Sequence, residues 1–168
     1  MRGFLTSAAL IAALVIAGAP ACTPAGESTD SEQAAEATES EEAELARYMA
    51  NLQRWTHKAA LALEARNAEL ADFYLHEVEE TVGTVQEEAP TYEGYPVGEL
   101  TGELLVPAVD SLDSALDGGE WPAVDRRVEA LQQACNDCHE ATDHGFVRID
   151  LRDLPNPYAQ RFDTASTR

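Results

Sequence analysis

The sequence predicts an all-α protein: an up-down-up-down four-helix bundle with an irregular C-terminal tail. Apolar residues recur at spacings of three and four in four separate runs, the pattern of helices that bury one face. Each run stops at proline or glycine, and no segment alternates like a strand except Phe146 to Leu151. Helices of some 20 residues with short connections at two of the three turns pack with their stripes inward. Setting aside an export segment and an acidic stretch leaves about 125 residues, one domain of common size, and excludes a second.

The first helix runs from Glu41 to about Leu63, with Leu45, Tyr48, Met49, Leu52, Trp55, Ala59 and Leu63 on its stripe. The second runs from about Asn67, with Ala71, Tyr74, Leu75, Val78, Val82 and Val85 facing inward, until Ala89-Pro90 stops it. Pro90, Gly94 and Pro96 make 90–96 a loop. Val97, Leu100, Leu104, Ala108, Leu112 and Ala115 form the third stripe, kinked at Pro107 and ended by Gly118-Gly119. The fourth helix opens with Pro122 in its first turn and carries Val124, Val128, Leu131, Cys135 and Cys138 as far as Asp143-His144-Gly145. The bundle thus occupies 41–145, and 146–168 is the tail.

Lys plus Arg is 11 against 31 Asp plus Glu, a net charge of −20, which opposes phosphate backbones and excludes nucleic-acid binding. Eight acids and no base lie between 23 and 45, so 22–40 reads as a disordered, self-repelling linker. Before it, Met1-Arg2 and the apolar run from Phe4 to Ala17 read as a signal peptide over 1–21, too short for a membrane span. Ala19-Pro20-Ala21 directly before Cys22 resembles the lipobox of bacterial lipoproteins, which implies lipidation of Cys22 and a membrane anchor. Ordinary cleavage at the same bond would instead give a soluble periplasmic protein. Either way the chain is exported, to the periplasm or cell envelope.

Cys135-Asn136-Asp137-Cys138-His139 is the C-x-x-C-H pattern of covalent c-type haem attachment. Two thiols must add to the two vinyl groups on one side of a porphyrin. Residues three apart on a helix share a face, and the next residue can swing beneath the ring. The cofactor expected is therefore one covalent haem c, with His139 as proximal ligand. Competing readings are weaker. A dithiol redox pair lacks its surrounding strand and helix pattern, a zinc site needs a fourth ligand that His144 could supply without completing a recognisable ligand spacing, and a disulfide within one helical turn closes a tiny loop.

A four-helix chain with this motif late in its last helix resembles the cytochrome c prime family and its low-spin relatives over residues from about 41 to 145. Chains of that family usually end soon after the haem histidine, whereas 29 residues follow His139 here. The resemblance implies a distal residue from the first helix. It also implies one of two functions: a six-coordinate electron carrier, or a five-coordinate haem that binds nitric oxide or carbon monoxide.

At about 100° per residue Met49 lies on the edge of the buried stripe and points inward, which makes it the candidate axial ligand, with core packing as its alternative role. His57 falls well off the stripe and is the first substitute. His76 lies on the polar face of the second helix, and His144 near Gly145 reads as a helix cap. Trp55, Tyr48 and Tyr74 read as core. Asp137, Glu140 and Asp143 surround the motif, where their first role is solvation and their second is to attract a basic redox partner, whose identity the sequence does not carry. A homodimer through an outer helix face is the oligomer such a bundle allows. A third function, of another class, is a haem-free acidic helical surface lipoprotein. No paired carboxylates, activated nucleophile or phosphate loop marks an enzyme.

Overall fold

Helix α1 spans Ser28–Glu64 in a computed structural model that describes residues 28–164. The linker expected over 22–40 is thus helical from Ser28 onward, well ahead of the expected start at Glu41. Helix formers such as Ala, Glu and Gln dominate this stretch, and it holds no proline or glycine to stop a helix. The signal peptide, Cys22 and the first linker residues lie outside the described residues.

The remaining helices follow the breakers: α2 Ala68–Glu88, α3 Val97–Leu100, a π-helical turn Thr101–Leu105, α4 Val106–Asp117 and α5 Trp121–Ala141. Among the described residues there is no strand, only a single bridge between Tyr92 and Tyr95 in the 90–96 loop. The chain is therefore all-α. α1 packs along α2, α4 along α5, and α2 against α4, while the π-turn touches both α2 and α5.

Three helix ends use one device, in which the residue after the cap takes a left-handed conformation and two backbone N–H groups fold back onto the last turn. After α1 it is Arg66 (φ 56°), with Asn67 N–H donating to Ala62 O at 2.9 Å. After α4 it is Gly119 (φ 66°), with Glu120 N–H donating to Ala115 O at 3.2 Å. After α5 it is Asp143 (φ 60°), with His144 N–H donating to His139 O at 2.7 Å. Asn67 then caps α2 in turn, its side chain accepting from Leu70 N–H.

Where a kink is expected at Pro107, the structure has a π-turn just before the proline. A proline ring clashes with the carbonyl four residues earlier, here Glu103, and a widened turn relieves that clash. The extra residue also shifts the buried face. The most buried positions are Val97, Thr101, Leu105, Val109, Leu112 and Leu116, whereas Leu100, Leu104, Ala108 and Ala115 are only half-buried. Thr101 is fully buried because its hydroxyl donates back to Val97 O and Gly98 O at 3.0 and 2.9 Å.

Most of the expected core of α1 and α2 is buried, with Tyr48, Leu52, Tyr74, Leu75 and Val78 each under a tenth exposed. The tail packs onto this core. Leu151 and Phe162 are buried, Asn67 Nδ2 donates to Phe162 O at 3.0 Å, and Lys58 Nζ lies 5.0–5.4 Å from the rings of Trp55, Tyr74 and Tyr158. Truncating a buried phenylalanine costs about 3–5 kcal/mol, so Phe162→Ala should lower the unfolding free energy in urea by about that amount. A loss under about 0.5 kcal/mol would mean that the tail is not part of the core.

Candidate functional site: an apolar cavity beneath the cysteine pair

Two helix faces with the same spacing look onto one cavity. α1 contributes Leu45, Met49, Leu52 and Thr56, and α5 contributes Leu131, Cys135, Cys138 and Thr142, each set stepping by four, three and four. The cavity measures about 480 Å³, within the range of cofactor and ligand sites, about 300–1,000 Å³. Val78 of α2, and Val97, Thr101 and Leu105 around the π-turn, form further walls. Residues Tyr92, His144 and 147–149 lie at the edges.

The lining is apolar in effect as well as in composition. Thr56, Thr101 and Thr142 all spend their hydroxyls on carbonyls of their own helices, Thr56 on Leu52 O at 2.7 Å and Thr142 on Cys138 O at 3.1 Å. Among the described residues no buried side-chain nitrogen or oxygen lacks a partner. Such walls offer water little to bond and suit an apolar occupant.

Cys135 and Cys138 are both free thiols. Burial pushes the Cys135 thiol up to about 12, helped by its neighbour Cys138, and burial alone raises Cys138. Both are protonated at neutral pH. A reactive dithiol pair or a thiolate metal site needs the opposite shift, downward. Among the described residues no three His, Cys, Asp or Glu side chains gather as a metal-ion site. What the cavity presents is two thiols and an imidazole on a single helix end.

His139 is half-buried with its Nδ1 2.9 Å from Val147 O. A carbonyl can only accept, so Nδ1 carries the proton and Nε2 keeps its lone pair for a ligand's role. Met49, also half-buried, lines the cavity from α1. The structure therefore brings together Met49, Cys135, Cys138 and His139, the expected set apart from Cys22, which lies outside the described residues.

His57 is not among the cavity's residues. Its Nε2 lies 3.0 Å from Pro155 O and its Nδ1 3.0 Å from the Tyr158 hydroxyl, so both ring nitrogens are engaged by the tail. The role of substitute ligand therefore falls away, because its neighbour on the α1 surface is the tail. His144 contributes its backbone N–H to the cap of α5, but its ring lines the cavity, with Nδ1 2.6 Å from Thr142 O. His76 is exposed beside Glu79 and Glu80.

Several residues at the site carry no signal in the motif. The two intervening positions of C-x-x-C-H are unspecified, yet Asn136 is buried and bonds the backbone of Ile149 in both directions. Tyr92 enters from the 90–96 loop, which Tyr95 ties to the end of α5 through its hydroxyl on Asp143 at 2.5 Å. Arg148 is the only Lys or Arg among the described residues that line the cavity, and no Asp or Glu lines it. The length of the tail is the sequence clue to Arg148 and Ile149, and nothing comparable points to Tyr92 or Asn136.

The chain matches no protein-family model, no curated protein and no solved structure.

The buried thiols have a direct consequence. A thiol at about 12 instead of the ordinary value near 8.5 holds about a thousandfold less thiolate at pH 8. In the haem-free folded protein Cys135 should alkylate slowly with iodoacetamide, and urea should accelerate it by at least about a hundredfold. Equal rates in the folded and unfolded chain would contradict a buried cysteine pair.

Proposed function

We propose that the protein is an exported, lipid-anchored c-type cytochrome that carries single electrons on one haem c. Cys135 and Cys138 would hold the group as thioethers, His139 would be its proximal ligand and Met49 its second axial ligand. In this reading the helices form an up-down-up-down bundle of the cytochrome c prime kind and Cys22 carries the lipid. The observation that supports it most is that both thiols, the His139 imidazole and the Met49 thioether border the same apolar cavity.

The residues present suit the group in several ways. A porphyrin is a broad apolar ring, and the cavity offers mostly apolar walls whose three threonine hydroxyls are already bonded within their own helices. Haem also bears two carboxylates, and in a chain of net charge −20 this cavity has no acid on its lining and one arginine, Arg148. Bound haem supplies an iron couple that gains and loses one electron.

The chain's own residues orient and shield. The Val147 carbonyl fixes the His139 tautomer, and Leu45, Leu52, Val78 and Leu131 exclude water from the interior. Asp137, Glu140 and Asp143 around the motif favour a basic redox partner. Among the described residues no helix is long and apolar enough to cross a membrane, so in this reading attachment to the membrane rests on Cys22. A homodimer through an outer helix face accords with the same reading.

A second reading follows from the α1 wall. Leu45 and Leu52 flank Met49 by one turn on either side and are both buried, so this wall could close an open coordination position without a sixth ligand. Such a haem would bind nitric oxide or carbon monoxide.

The absorption spectrum of protein matured with the haem-attachment machinery separates these readings. A sharp reduced α band indifferent to carbon monoxide is expected for the electron carrier, and a broad band that carbon monoxide shifts would replace it with gas binding. Colourless protein would leave a haem-free acidic helical lipoprotein. Cys138→Ser should abolish or strongly weaken covalent haem retention, and full retention would refute the motif reading. Met49→Ala should convert a six-coordinate spectrum into a five-coordinate one, and an unchanged spectrum would remove Met49 from the site.

A further inference from the structure

Immediately after the motif, the left-handed Asp143 turns the chain back along α5. Four side chains of α5, at positions 139, 136, 132 and 129, then meet the returning segment in order. His139 Nδ1–H donates to Val147 O at 2.9 Å. The Asn136 carboxamide donates to Ile149 O at 3.0 Å and accepts from Ile149 N–H at 2.7 Å. Gln132 Oε1 accepts from Leu151 N–H at 2.9 Å, and Glu129 pairs with Arg152. These α5 positions step by three, four and three, so they share one face.

Asn136 is the rung that determines the others near the site. It is 4% exposed, and its two bonds to one residue fix that residue's backbone in position and orientation, as a neighbouring strand would. Two residues before Ile149 stands the carbonyl that holds the His139 proton. Leu151, whose N–H makes the next rung, is buried in the core and anchors the far end.

We propose that residues 146–152 form a strap that sets how strongly His139 donates to iron, with Asn136 as its positioning residue. This rests on the haem reading. A carbonyl accepting from Nδ1–H makes the opposite ring nitrogen a more basic ligand, and a more basic ligand favours the ferric state over the ferrous. The strap therefore lowers the midpoint potential.

The test uses the full-length holoprotein. Asn136→Leu, similar in branched shape, leaves Ile149 without either partner, while Gln132→Leu breaks a rung farther from His139. Asn136→Leu should keep its covalent haem, raise the midpoint potential and speed amide exchange at Ile149 by about tenfold or more. Gln132→Leu should move the potential less. If Asn136→Leu does not hold its fold, Asn136→Ser, whose shorter side chain no longer reaches Ile149, carries the same expectation. An unchanged or lowered potential, with haem retained and Ile149 exchanging faster, overturns the strap's role and leaves the haem reading standing. Wild-type protein without covalent haem overturns both.

Discussion

The structure depends on two helix faces that match in spacing but do not close on each other. Leu45, Met49, Leu52 and Thr56 on one side and Leu131, Cys135, Cys138 and Thr142 on the other would ordinarily interdigitate, since protein interiors are close-packed. Instead they bound a space, and the surrounding elements serve to keep it apolar. The widened turn around Thr101 brings a satisfied hydroxyl to the wall rather than an unmet one, and the tail seals an edge with backbone groups already bonded to α5.

Much of this was legible from periodicity. Stripes on α1, α2 and α5 appear as expected because Leu, Val and Tyr at helical spacing have few other places to go. The third stripe holds at Val97 and Leu112 but is displaced by one residue at its other positions, since an α-helical period cannot anticipate a π-turn and a hydropathy reading counts Thr101 as polar. The early start of α1 was missed for the opposite reason: net charge argued for disorder where Ala and Glu individually favour helix. At the site the motif identified the three residues whose side chains it specifies. It could not identify Asn136 or Val147, one at an unspecified position and the other acting through a carbonyl that every residue possesses.

Charge is partitioned as sharply as hydropathy. The chain carries thirty-one acids, yet among the described residues none lines the cavity, and on the α2–α4 side burial and neighbouring acids push the Glu79 and Asp113 carboxyls up. For an acid, a raised folded-state pKa is stability lost as pH rises through the normal carboxylate range, so this crowding works against the fold at neutral pH. Cations on and just after α1 counter it by standing over rings. Lys58 stands among Trp55, Tyr74 and Tyr158, and Arg66 reaches both the Trp121 ring and Asp125, whose carboxyl it holds below the usual range.

Burial of the cysteine pair also bears on the order of events. Once the helices close, the Cys135 thiol lies near 12 and supplies almost no thiolate, while the route to both sulfurs runs through a cavity edged by the returning tail. In the haem reading, thioether formation is therefore easiest before α1 and the tail have docked, when both thiols still titrate normally. The motif sits late in α5 and the 146–152 segment follows it in sequence, so the segment that borders the site is made after the motif. On the haem reading, a tail bonded in this way favours filling first and closing second.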